Sequence, residues 1–322
     1  MKMENLENKE KKSFIDKYAK ILVIVAVFCG GASGPIGSLV SAPVSAIGFW
    51  RLSFALPFFL IPVLSNSEKR EKLFNVDRKN LILSMISGAF LFIHYTGWYT
   101  AVKQTNVSSA AILASFHPLV VLFITIFIYK KRVGVKSIIA ILVALAGGAY
   151  TMCSDLSALQ GSKLGGNIAA LIAGIAMGIY FALGGKVREK IDGSIYVLIC
   201  FASCWACFGI SNAVQGNAFF GYPGIDYVYI LCLALICQIG SHAVWNLCMG
   251  HVSSLYVSTW ETGDPVVSTI LAIILIGQFP TTTEIIGCII VVGALLCYNR
   301  FESETEQKEA QKAKSENNNE DQ

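Results

Sequence analysis

Charge is what this sequence has least of. Asp, Glu, Lys and Arg make up 14% of its 322 residues, against 54% hydrophobic residues. A soluble domain needs roughly 25% charged residues to cover its surface. The few charges also sit in blocks: the first 20 residues, Glu68 to Lys79, and the tail from Arg300. Three other things are missing. There is no run of alternating polar and apolar residues of the kind that builds a membrane barrel. There is no glycine–lysine phosphate loop to bind ATP. There is no HExxH, nucleophile elbow or other catalytic set, so a non-enzyme is expected.

Between the charged blocks lie long apolar runs. About 20 apolar residues cross the hydrocarbon core as a helix. Ten such runs are expected as spans 1 to 10, at 21–40, 44–64, 81–102, 107–129, 135–152, 166–185, 194–213, 226–249, 253–276 and 284–299. The first run is long and is followed at once by others, so it reads as a retained span rather than a cleaved signal. Most of the ten Cys fall in or near these runs, where a thiol behaves as a small apolar residue. Cys204-Trp-Ala-Cys207 mimics a redox CxxC, but no second cluster with ligand spacing accompanies it, and packing is the expected role. Neither cofactor nor metal is expected.

Orientation follows from the basic residues. Of 25 Lys and Arg, 22 fall in the two termini and in the loops after spans 2, 4 and 6. Lys103 and Lys163 fall on the other side, and Arg51 lies within a span. Lys and Arg accumulate on the cytoplasmic side, so both termini are expected inside, which requires an even number of spans. The net charge of +4 reports this topology and gives no reason to expect nucleic acid as a partner. The tail 301–322 is rich in Glu, Lys, Asn and Gln and is expected to be disordered and cytoplasmic; the arm 1–20 is expected to be cytoplasmic too.

The chain resembles itself at an offset of 147 residues. Trp98 falls on Trp245 and Pro118 on Pro265, without a gap from Trp98 to about Tyr150. The halves are then 21–152 and 166–299, five spans each. Five is odd, so the second half enters the membrane upside down. Lys130, Lys131 and Arg132 fall on uncharged Gly277, Gln278 and Phe279, as a loop does when its side of the membrane is exchanged. The expected fold is an all-α membrane protein with ten transmembrane helices as two inverted five-helix repeats, both termini inside. Inverted repeats are typical of secondary transporters, with the solute site near the midplane, although duplication also builds channels.

Polar groups inside the spans are the site candidates. Pro35, Pro118 and Pro265 each remove a helical hydrogen bond and mark kinks or hinges. Gly30, Gly31 and Gly34, with Gly174 and Gly178, admit either close packing or hinge motion. His117 and Asp264 precede the two repeat-related prolines. In Trp260-Glu261-Thr-Gly-Asp264-Pro265 the two acids share a helix face. Each ionised carboxylate at the bilayer centre costs about 2.5–3.5 kcal/mol, so both must face the interior, and at least one is expected to hold a proton near neutral pH. Such a pair can bind a cationic group or carry a coupling proton; the plainer reading is a hydrogen-bonded pair supporting the kink. His94, Tyr95 and Trp98 on span 3, and Gln238, His242, Trp245 and Asn246 on span 8, are expected to wall a cavity with His117, Trp260, Glu261 and Asp264. For Trp98 an interfacial belt competes with the cavity. Arg51 is expected either to pair with an acid across the bundle or to extend toward the outer surface.

Several local patterns resemble the EamA-type drug/metabolite transporters. These are Phe49-Trp50-Arg51 early in span 2, the small-residue-rich stretch from Ser108 to Pro118, and Ile285-Ile286-Gly287 with Gly293 in span 10. The resemblance covers about residues 20–300. It implies gradient-driven export of amino acids, other metabolites or amphipathic drugs through a central cavity, in the plasma membrane. The family often carries Gly-Glu just after the fourth helix of each repeat. Here those places hold Lys130-Lys131 and Gly277-Gln278, so no role passes to that acid. The leading expectation is export of a small amphipathic solute with an amine or cationic group, with the lipid bilayer and a coupling proton as the other partners. Exchange of anionic or neutral metabolites is the alternative, and a receptor or intramembrane enzyme is the third.

Overall fold

The computed structural model describes residues 14–153 and 162–280, with most of 282–304. The expected tail 301–322 lies almost wholly outside the described residues, as does most of the arm 1–20. Among the described residues there is no strand.

Span 1 is α1 (Phe14–Gly30) and α2 (Ser33–Leu39); span 2 is α3 (Val44–Ala55) and α4 (Pro57–Ser65). A short helix α5 (Ser67–Phe74) follows. Span 3 is α6 (Arg78–Gln104), and span 4 is α7 (Val107–Ala114), α8 (His117–Phe123) and a π-helical turn at Ile124–Ile128. Then come α9 (Val135–Cys153), α10 (Ser162–Arg188) and α11 (Gly193–Val214). Span 8 is α12 (Gly224–Cys232), a π-helical stretch Leu233–Ala243 and α13 (Val244–Cys248). Span 9 is α14 (Ser254–Glu261) and α15 (Asp264–Ile276). Among the described residues, eight of these rods are long and apolar enough to cross a membrane. The runs expected as spans 5 and 10 fall on shorter apolar helices, Val135–Gly147 and Ile285–Tyr298, the latter running over residues outside the described set. The charged block after span 2 is itself helical. Asn66 caps α5 by accepting from the Lys69 N–H at 3.0 Å, and Glu68 and Lys72 pair one turn apart at 2.5 Å.

Three prolines shape the bundle through the carbonyls they release. Pro35 leaves the Gly31 carbonyl without its helical donor, and the Ser268 hydroxyl of α15 donates to it at 2.7 Å. Pro118 releases the Ala114 carbonyl, against which α10 packs at Gly174; a Cβ there would lie 2.6 Å from that oxygen. Pro265 releases the Glu261 carbonyl in the same way.

Two crossings repeat at the offset of 147. A Cβ on Gly31 would lie 2.5 Å from Val267 Cβ, and one on Gly178 would lie 2.5 Å from Val120 Cβ. Both members of the second pair are the repeat mates of the first. Span 1 thus packs on spans 8 and 9, and span 6 on spans 3 and 4, each crossing into the other half. Gly178→Leu should destabilise the protein by about 1–3 kcal/mol, because the close backbone approach leaves no room. Thermal unfolding in detergent checks this, with Gly209→Ala as a near-neutral control, since its nearest neighbour would stand at 3.5 Å.

Candidate functional site

Spans 4 and 9 break at equivalent points. α7 ends at Ala114 and α8 starts at His117; α14 ends at Glu261 and α15 starts at Asp264. Both the ends and the starts are 147 residues apart. The cause is the proline in second place of each following half-helix, which disfavours helical backbone just before it. The chain crosses each gap with tighter turns: Phe116 N–H donates to Leu113 at 3.4 Å, and Gly263 N–H to Trp260 at 3.0 Å. Glu261 therefore closes one half-helix and Asp264 opens the next.

These breaks face a cavity of about 40 Å³ near the middle of the bundle. Of the residues expected to line it, His94, Tyr95, Trp98, His117, His242, Glu261 and Asp264 do so. Gly30 and Ser33 of span 1 and Ala111, Ala114 and Ser115 of span 4 complete the wall. Small residues carry no chemical signal in a sequence, and only the fold brings them here. One water needs roughly 10–15 Å³ and an organic solute several hundred, so this conformation is closed around the site.

Four expected residues stand behind the wall. Gln238 accepts from the Tyr95 hydroxyl at 2.7 Å. Trp245 is fully buried, its ring 5.2 Å from that of His242. Asn246 donates to the Tyr180 hydroxyl and to the His242 carbonyl. Trp260 lies partly buried beside Tyr256, with its ring nitrogen unpartnered. Tyr95 and His242 are repeat mates and face each other, edge to face, with ring centroids 5.1 Å apart.

The polar groups of the cavity are incompletely paired. His117 Nε2 and Glu261 Oε2 approach to 3.4 Å, both buried, but are not aligned as a hydrogen bond. That oxygen, Asp264 Oδ1, His117 Nδ1 and His242 Nδ1 are all buried without a hydrogen-bond partner. His94 Nδ1 lies 3.0 Å from the Ala173 carbonyl.

Arg51 does neither of the things expected of it. It is 0% exposed, so it does not extend to the surface, and no acid pairs with it among the described residues. Its Nη1 donates to the Tyr99 hydroxyl at 2.5 Å and reaches Ser33 Oγ at 3.5 Å, while Nη2 donates to the Tyr95 hydroxyl at 3.2 Å. The guanidinium also stacks over the Tyr95 ring at 4.3 Å. Two hydroxyl-bearing residues, Ser33 and Tyr95, connect this cation to the cavity.

The two ends of the bundle differ. At the end carrying the basic loops, a cleft of about 440 Å³ opens among Tyr129, Lys131, Arg132, Lys186, Glu189 and residues 249–255. Hydrogen bonds from Lys186 and Lys131 hold the Glu189 carboxyl below its ordinary pKa. At the opposite end Asp226 latches the turn between spans 1 and 2. It accepts from Ser41 N–H at 3.2 Å, Ser41 Oγ at 2.7 Å and Ala42 N–H at 2.9 Å, while Lys103 donates to the Ala42 carbonyl at 2.6 Å.

The sequence profile of the EamA-like transporter family matches the chain twice, over residues 17–153 and 164–300. The matches start 147 residues apart and end 147 apart, the offset found within the chain. Among curated proteins, an "Uncharacterized transporter" of Clostridium kluyveri is 24% identical over 211 residues, 62% of this chain and 66% of that one. The match therefore spans just under two thirds of that relative. "Uncharacterized protein PA1977" of Pseudomonas aeruginosa is 24% identical over 213 residues, 63% of this chain and 71% of that one. A solved crystal structure superposes with a TM-score of 0.70 at 14% identity, covering 88% of this chain and 98% of the other, which is a likeness of fold.

Proposed function

The chain belongs to the EamA-like transporter family and is a multi-pass membrane protein, and from that premise we propose that it transports small molecules and that its solute is a small amphipathic molecule with an amine or other cationic group, such as an amino acid or organic cation. The solute binds in the cavity against Glu261 and Asp264 and is exported by alternating access, with a proton as coupling ion. The observation that carries this reading is the pair of unpartnered carboxylate oxygens in a central cavity, at the break of span 9. Ionised groups at this depth are expensive and mark solute or ion paths.

The rest of the architecture goes with it. Ten spans in two inverted repeats, with both termini cytoplasmic, are supported by the split of basic residues and by helix breaks and glycine crossings that recur at one offset. An open cleft at the basic end and a latched opposite end correspond to an inward-facing state with the solute site closed.

The test is counterflow in proteoliposomes with a panel of labelled amino acids and organic cations. Saturable uptake of at least one member is expected; none across the panel overturns the reading. A second reading, exchange of anionic or neutral metabolites, draws on the basic cleft and on Arg51. Transport unaffected by Glu261→Gln and Asp264→Asn would favour it.

The latch gives a further prediction. Asp226→Ala removes three hydrogen bonds to a carboxylate, each worth about 1.5–3 kcal/mol. The outward-open population should rise at least roughly tenfold. A cysteine in place of Ser33 should then react correspondingly faster with an impermeant maleimide added outside. An unchanged rate contradicts the latch.

A further inference from the structure

We infer that the cavity accommodates one added positive charge at a time, so that a proton and a monocationic solute exclude each other, and that Glu261 is the group that exchanges one for the other. This rests on the cavity being the solute site and adds how coupling arises there.

Arg51 contributes one positive charge that no carboxylate neutralises among the described residues. Its hydrogen bonds to Ser33, Tyr95 and Tyr99 carry that charge's influence to the cavity wall. Glu261 and Asp264 are the two acids lining the cavity. Fully ionised, the set bears one net negative charge. In a site shielded from water, net charge is the costly condition, and neutrality returns with a single added cation. Two occupants satisfy it: a proton on a carboxyl, or a monovalent cationic group beside both.

Helix geometry selects which carboxyl changes state. Asp264 is the first residue of α15, a 13-residue helix whose positive end stabilises an anion there. Glu261 is the last residue of α14, at the negative end, beside its own carbonyl released by Pro265. That end disfavours an anion and favours either a neutral acid or a bound cation. Glu261 Oε2 is also buried with no hydrogen-bond partner.

The other titratable groups around α14 do not offer the same exchange. His117 of α8 stands 3.4 Å from Glu261 with no hydrogen bond aligned between them, and the oxygen facing it is left unpartnered. His94 of α6 is held at the Ala173 carbonyl, and His242 of span 8 lies edge-on to Tyr95. Tyr180 of α10 is bonded to Asn246. On α1, Cys29 lies against Gly240, and Lys20 sits over Tyr256, more than a turn from Glu261. In the exchange the Glu261 O–H bond breaks, the proton leaves to the side then open, and the cationic group takes its place against the carboxylate.

The test uses the full chain in lipid nanodiscs and benzyltrimethylammonium, a cation with no proton of its own. Infrared spectroscopy should show one protonated carboxyl in the free protein. That band should shift when glutamate carboxyls carry ¹³C and stay when aspartate carboxyls do. Adding the cation should erase the band and release one proton per cation bound. Movement of the band with labelled aspartate would overturn the assignment to Glu261 and leave the solute site standing. Binding with the band intact and no proton released would overturn the exchange alone. Absence of saturable binding would overturn the inference together with the cationic solute it rests on.

Discussion

Glu261→Gln and Asp264→Asn should each cut saturable transport by roughly 30-fold to several thousand-fold. Losing one partner of a buried charge pair costs about 2–5 kcal/mol, and each 1.4 kcal/mol is tenfold. Both substitutions keep shape and hydrogen-bonding capacity, so the fold should persist; a normal elution profile and thermal midpoint would show it. The plainer alternative, that the acids only support the kink at Pro265, predicts the reverse pattern. Stability would fall and transport by the surviving protein would not. Rates in proteoliposomes, normalised to folded protein, separate the two.

Arg51 should be the most sensitive position outside the cavity. Arg51→Leu leaves the hydroxyls of Ser33, Tyr95 and Tyr99 without their cationic donor, and each such loss in a buried place costs about 1–3 kcal/mol. A loss of about 3–5 kcal/mol is expected once neighbouring hydroxyls have re-paired, visible as a large drop in thermal midpoint. Arg51→Lys keeps the charge but not the planar fork that meets Tyr95 and Tyr99 together, so partial recovery is expected. Full stability in Arg51→Leu would mean that the guanidinium is not structural.

The sequence was most legible where physics acts locally. Apolar runs report spans because lipid tolerates little else. Pro118 and Pro265 report the breaks in spans 4 and 9 because proline cannot continue the helical ladder. Charge placement and self-similarity at 147 residues carry the repeat, and both family matches keep that spacing. Legibility failed where contacts join distant segments. Arg51 was expected to find an acid or the surface, and the phenols that receive it lie 44 and 48 residues away on another span. Ser33 and Ser115 line the cavity, yet nothing in their surroundings in the sequence sets them apart from other small residues of the spans. Gly31 and Gly178 were visible as glycines, but the close crossings they make were not, since their valine partners are on other helices. Trp245 and Asn246 share span 8 with His242 and yet sit behind it, because the π-helical stretch that ends at Ala243 shifts which face turns inward.

The central claim is that two oppositely inserted halves enclose the cavity. Lys131→Cys and Gln278→Cys test it most directly, each in a background without other cysteines and exposed to an impermeant maleimide. They occupy the same place in the repeat. Opposite insertion predicts that Lys131→Cys is labelled only in inside-out vesicles and Gln278→Cys only in intact cells. Labelling of both from the same side would contradict the account.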